Sequence, residues 1–159
     1  MNAEPTTTIR VRPAVASDHA EWDALYAAYG VFYQVTAQDR DLVWGWIMDA
    51  DHEVNALVAV GPDDRPIGLA HYRPFARPLA AATGCFLDDL FVSPAARGSG
   101  AVQQLLAGLR DIARERGWSV VRWITAEDNY RARAVYDRVA TRTRWVTYDM
   151  EPGETAGDG

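Results

Sequence analysis

Two adjacent aspartates, Asp88 and Asp89, interrupt the otherwise apolar run Cys85 to Val92, and Arg97-Gly98-Ser99-Gly100 follows within a few residues. Carboxylates held in apolar surroundings can accept a proton from a reacting group, directly or through water. An alkyl amine with a pKa near 10.4 is neutral to only about one part in a thousand at pH 7, so chemistry on such an amine requires an acceptor of this kind. Glu127 and Asp128 form a second acidic pair. On a strand, successive side chains point to opposite faces, so Asp88 and Asp89 are expected to take separate roles. A pair of structural carboxylates is the competing reading.

The stretch from Leu87 to Gly100 reads as strand, turn and helix start. A helix N-terminus leaves its first backbone N–H groups unpaired and carries partial positive charge, and glycines let a diphosphate approach them closely. Arg97 adds a formal charge. The same layout also serves a tight connection that needs glycine only for its backbone angles. A dinucleotide fingerprint would require glycine or alanine where Gln103 stands.

Composition removes several chemistries. All 16 basic residues are arginine, which excludes Schiff-base lysines and the G-x-x-x-x-G-K phosphate loop. A net charge of -6 argues against a nucleic-acid partner and is compatible with a cationic small substrate. The lone Cys85 cannot form an internal disulfide, and His19, His52 and His71 are too scattered to suggest a metal, so none is expected. No segment has the length and apolarity of a signal peptide or membrane span, which predicts a cytoplasmic protein without a membrane partner.

The elements that must position these groups follow from periodicity. Thr8 to Val11 reads as a strand; Asp18 and Glu21 open a helix whose stripe is Trp22, Leu25, Tyr26 and Tyr29, ending at Gly30. Ala37 to Ala50 reads as a second helix, and Asn55–Val60 with Pro66–Arg73 as a hairpin. Pro74 to Gly84 reads as a loop, Cys85 to Val92 as a central strand, and Ser99 to Arg116 as a helix with Val102, Leu105, Leu106, Leu109, Ile112 and Ala113 on one stripe. Ser119 to Thr125 is an expected strand, Asn129 to Ala140 a helix and Thr143 to Met150 a last strand. The order is that of one α/β domain over residues 1–150, with a disordered tail at 151–159.

Leu87 to Leu106 resembles the central motif of the GNAT N-acetyltransferases, whose pattern R/Q-x-x-G-x-G/A is met at Arg97 and Gly100. The block Trp123 to Asn129, followed by Ala134-Val135-Tyr136, resembles the family's next motif, and the likeness covers nearly the whole chain. With His71-Tyr72 and the ending Tyr136 to Ala140, it is nearest the histone and polyamine acetyltransferase-like branch. Val102 departs from the pattern, standing where glycine or alanine is usual; it also heads the apolar stripe of its helix.

The resemblance implies a single-domain GNAT-like fold, a mixed and mostly antiparallel sheet of six to seven strands with helices on both faces. It implies acetyl-CoA as donor, a primary amine of a small molecule or peptide as acceptor, direct transfer in a ternary complex, and leaves a homodimer open. Leu90, Phe91 and Val92 would meet the pantetheine arm, Arg97, Gly98, Ser99, Gly100, Ala101 and Val102 the pyrophosphate, and Asn129 the arm again, although Asn129 also suits a helix N-cap. Tyr136 matches the family's general acid, with Asp88 as base and Asp89 as runner-up. Tyr33, His71, Tyr72 and Trp123, with Tyr29, could line an amine site because aromatic faces suit a cation; a place in the core is their ordinary fate. A regulatory acyl-CoA-binding module is the alternative, and it would have no need of Tyr136 or Asp88.

Overall fold

The computed structural model describes residues 8–35 and 38–153. It divides into two compact units, Met1–Ile124 and Thr125–Gly159. The first contains β1 (Arg10–Pro13), α1 (His19–Phe32), α2 (Arg40–Met48), β2 (Asn55–Val60), β3 (Pro66–Arg77), β4 (Ala82–Val92), α3 (Ala101–Arg116) and β5 (Val121–Arg122). The second contains α4 (Tyr130–Val139).

The sheet runs β1-β2-β3-β4-β5, antiparallel throughout except for the parallel pair β4–β5. It is mixed and mostly antiparallel, as expected, but among the described residues it has five strands rather than six to seven. The missing strand is Thr143 to Met150, where polar and apolar residues alternate from Val146 onward yet no pairing forms. Alternation gives a segment two faces; only a hydrogen-bonded neighbour makes it a strand. Trp145, Tyr148 and Met150 are each more than four-fifths exposed. Most of the expected tail, 154–159, lies outside the described residues.

Both faces of the sheet are covered, and β3 shows how. Leu69 packs with Trp22 and Leu25 of α1 in a fully buried cluster, with Trp44 and Ile47 of α2 against it. The preceding residue faces the other way: a Cβ on Gly68 would meet Val92 Cγ2 at 3.0 Å and Leu105 Cδ1 of α3 at 3.5 Å. Each large apolar side chain buried in these layers contributes about 1.5–3 kcal/mol.

The expected loop Pro74 to Gly84 is instead the end of a long hairpin. β3 continues to Arg77, a short 3-10 turn covers Pro78–Ala80, and β4 starts at Ala82. Prolines suggest a break, but Pro74 is tolerated because β2 pairs with β3 only as far as Tyr72, so no ladder bond is lost on that edge. Gly84 is required for space: a Cβ there would lie 2.6 Å from Phe75 Cε1.

Asp18 and Glu21 open α1 as expected, but not through a reciprocal side-chain cap. Asp18 stands at the N-cap of α1 without a side-chain cap bond. It accepts from Arg12 Nη1 and Nη2 at 2.7 and 2.9 Å and from Val15 N–H at 2.8 Å, while Glu21 bonds Arg65. A guanidinium offers more donors than a helix end, and the Arg12 bonds hold the Asp18 carboxyl below the usual carboxylate range.

Candidate active site

The two aspartates lie where the β3–β4 ladder slips. His71 pairs with Asp89 and Tyr72 with Leu87, so Asp88 is an extra residue, a β-bulge. A bulge interrupts strict alternation. The expectation of opposite faces is therefore corrected: Asp89 bonds His71 and Asp88 bonds Arg73, two β3 residues that share a face.

Their surroundings differ. Asp88 Oδ2 accepts from Arg73 Nε at 3.0 Å. Burial pushes the Asp88 carboxyl above the usual range, with the Arg73 bond opposing the shift. Asp89 Oδ2 lies 2.8 Å from His71 Nδ1 and accepts from the Tyr26 hydroxyl at 3.3 Å. His71 Nε2 in turn accepts from Trp22 Nε1 at 2.8 Å. Burial, then the neighbouring Asp89 carboxylate, pushes the Tyr26 phenol up to about 12, and the same causes raise Tyr29, so both stay protonated at neutral pH. Sequence reading saw Trp22 and Tyr26 only as an apolar stripe; the signal overlooked was that both carry hydrogen-bond donors on the helix face turned to a strand with a histidine and an acid.

An aromatic train leads outward from this network. Tyr26 stacks on Tyr29, which meets Tyr33 edge-on at 4.8 Å and Phe91 at 5.7 Å. Tyr33 is 45% exposed, at the outer end. Tyr72 is 5% exposed and belongs to the core. Trp123 lies one residue past β5, half-buried.

β5 pairs only with Cys85 and Phe86, so among the described residues β4 from Leu87 to Val92 has β3 on one side and no strand on the other. Leu90, Phe91 and Val92 are half-buried along this open edge. The turn beyond carries Gly98 at φ +77° and Gly100 at φ +87°, left-handed angles that a side chain rarely adopts. Neither glycine is crowded, so the backbone angle, not space, requires them. The first intrahelical bond runs from Gln104 N–H to Gly100 O, and Ala101 N–H meets Ser99 Oγ at 3.3 Å. The N–H groups of Val102 and Gln103 lie in the first turn of α3, ahead of its hydrogen-bond ladder. Arg97 is exposed at the turn. Ala101 takes the fully buried place at the head of the α3 stripe, and Val102 is half-buried beside it.

In the second unit, Tyr136 is half-buried on α4. Asn129 stands at the N-cap of α4 but does not cap it; its Nδ2 donates to Thr125 Oγ1 at 3.2 Å. Glu127 O accepts from Arg133, and Glu127 and Asp128 are both exposed.

A model of the acetyltransferase (GNAT) family matches residues 19–140 of this chain. The chain belongs to the GNAT acetyltransferase family. It is accordingly an acyltransferase enzyme, and the turn, the open edge of β4 and the acids beside them lie in the matched region. The chain is 27% identical over 154 residues to the D-amino-acid N-acetyltransferase of Saccharomyces cerevisiae, covering 92% of this chain and 96% of the relative. Its fold is similar to ribosomal-protein-alanine N-acetyltransferase from Brucella melitensis biovar Abortus 2308, with TM-score 0.77, 22% identity, and 91% and 99% of the two chains covered. It is equally similar to an aminoglycoside N-acetyltransferase solved in complex with CoA, with TM-score 0.77, 19% identity, and 96% and 100% covered.

Cys85, on β4 of this acetyltransferase, is fully buried, and burial pushes its thiol up to about 11. The thiolate is the reactive form, so Cys85 is expected to resist alkylation in the native protein at pH 7.5 and to react on unfolding. Intact-mass measurement after iodoacetamide treatment checks this.

Proposed function

We propose that the protein transfers an acetyl group from acetyl-CoA to a primary amine, with Asp89 taking the proton from the ammonium and Tyr136 returning one to the departing sulfur. The observation that carries this reading is the Asp89 carboxylate, held by His71 at 2.8 Å on the strand whose open edge leads to the glycine turn. We put Asp89 ahead of Asp88 as base because Arg73 already neutralises Asp88 at 3.0 Å. Among the described residues Asp89 has no arginine partner; it is met by His71 and by the Tyr26 hydroxyl.

The residues fit the cofactor. The N–H groups at the head of α3, the positive-φ glycines and Arg97 suit a diphosphate. The unpaired edge at Leu90, Phe91 and Val92 suits an extended amide-bearing arm. Bound there, acetyl-CoA supplies an acetyl group activated as a thioester. The N–H of Val92 is our candidate for polarising its carbonyl. Tyr29, Tyr33 and Asp89 would receive the cationic end of the acceptor, carboxylate and ring faces both attracting an ammonium.

The acceptor we favour is a small amino-acid-like or polyamine amine; the D-amino-acid specificity in the yeast relative's name makes such compounds the first to try. A thiol-release assay over D- and L-amino acids, polyamines and short peptides tests the reading. Tyr136→Phe is expected to lower turnover about 10²-fold with little change in acetyl-CoA affinity by calorimetry. A fully active variant removes Tyr136 from the mechanism. Absence of turnover with every amine, with acetyl-CoA still bound, would favour the regulatory module instead.

A further inference from the structure

Asp89 is supported by a chain of buried groups that the reaction itself does not consume. Trp22 and His71 are 0% and 1% exposed. An indole N–H can only donate, so the 2.8 Å contact from Trp22 Nε1 requires a lone pair on His71 Nε2. A neutral imidazole then carries its single proton on Nδ1, 2.8 Å from Asp89 Oδ2. The other tautomer, or an imidazolium, would set an Nε2–H against the indole N–H at hydrogen-bond distance.

We propose that Trp22 and His71 are positioning residues: Trp22 fixes the His71 tautomer, and the Nδ1–H so fixed aims the Asp89 carboxylate for proton acceptance. This rests on the reading of Asp89 as base. Trp22 is itself wedged between the rings of Trp44 at 4.9 Å, Tyr26 at 5.2 Å and His19 at 6.4 Å, so its N–H has a fixed direction. The groups facing His71 fit the assignment. From α1, Tyr26 meets the imidazole edge-on at 4.8 Å and donates to the same Asp89 oxygen. β4 adds Asp89 itself, and Asp88, whose charge is taken by Arg73. β2 contributes only Ala56 opposite His71. Asp89 therefore receives two directed donors while remaining the one carboxylate of the pair without a cationic partner.

The wild-type enzyme provides the first test, because the chain has three histidines and their ring nitrogens can be resolved by 15N NMR. His71 is expected to show a protonated Nδ1 and an unprotonated Nε2 at pH 7. His52, whose Nδ1 accepts from Val54 N–H at 3.0 Å, should show the opposite pattern and serves as an internal reference. A His71 protonated on Nε2 overturns the proposal.

The second test is kinetic. Trp22→Phe is expected to lower kcat about tenfold to a hundredfold, with KM for acetyl-CoA unchanged. His71→Gln can still accept from Trp22 and donate to Asp89, and should retain at least tenfold more activity than His71→Leu. A merely structural role predicts that activity follows melting temperature through this series, with no advantage for Gln; that result overturns the proposal, as does kcat within twofold of wild type in Trp22→Phe. If Asp89→Asn is inactive while Trp22→Phe is fully active, the positioning role fails and the base assignment stands. If Asp89→Asn is fully active, the base assignment itself fails.

Discussion

Asp89→Asn is expected to lower kcat/KM for the amine by about 10²–10⁴, the usual contribution of a positioned general base. The amide oxygen can still accept from His71 and Tyr26, so the fold around it should persist and the melting temperature should stay near wild type. The loss should shrink as pH approaches the amine's own pKa, about 10.4 for an alkylamine, because the acceptor then arrives already neutral. Asp88→Asn provides the contrast: its carboxylate is committed to Arg73, and we expect less than a tenfold effect. Steady-state thiol release from pH 6 to 10 measures both, and an Asp89→Asn enzyme within twofold of wild type at pH 7 would remove Asp89 from the chemistry.

The second large effect is on stability. Asp18 ties β1 to the start of α1 through Arg12 and is 3% exposed. Breaking a buried pair by removing one partner strands the other charge, at about 3–5 kcal/mol. Arg12 keeps Asp64 at 3.1 Å in Asp18→Ala, so the lower end, about 3 kcal/mol, is expected. At roughly 2–4 °C per kcal/mol for a chain of this size, the melting temperature should fall by about 10 °C.

The pH dependence has a definite sign. The Asp18 carboxyl is held low in the folded state, so its contribution is fully present above the unfolded value near 3.9 and fades as pH falls through the folded one. Denaturant unfolding of wild type and Asp18→Ala at pH 7, 4 and 3 should therefore give curves that draw together in acid. Equal stability of the two proteins at pH 7 would contradict the assignment.

Much of this molecule was legible in its residues because local rules and tertiary packing agreed. The α3 stripe Leu105, Leu106 and Leu109 is buried as its period required, and β2 has the bounds that its apolar run predicted. The glycine turn was legible because left-handed backbone angles at Gly98 and Gly100 leave a mark in residue type. The failures share a cause: they depend on partners distant in sequence. Asp18 looked like a helix cap until Arg12 and its strand came alongside. Thr143 to Met150 has residues that suit a strand, but none of them pairs with another strand. The slip at Asp88 belongs to the β3–β4 ladder and not to β4 alone, so the pairing of Asp89 with His71, and of His71 with Trp22, could not be read from spacing.

That extra residue bears on how β4 is matched to other chains. Cys85 and Leu87 are buried on the near side of the slip, and Asp89 and Phe91 follow on the far side one position out of phase. A gap-free alignment to a relative lacking the extra residue would set inward against outward side chains over Asp89 to Val92. Superposition from each end separately, joined at Asp88, restores the equivalences, and grafting this motif onto another sheet would require carrying the additional residue with it.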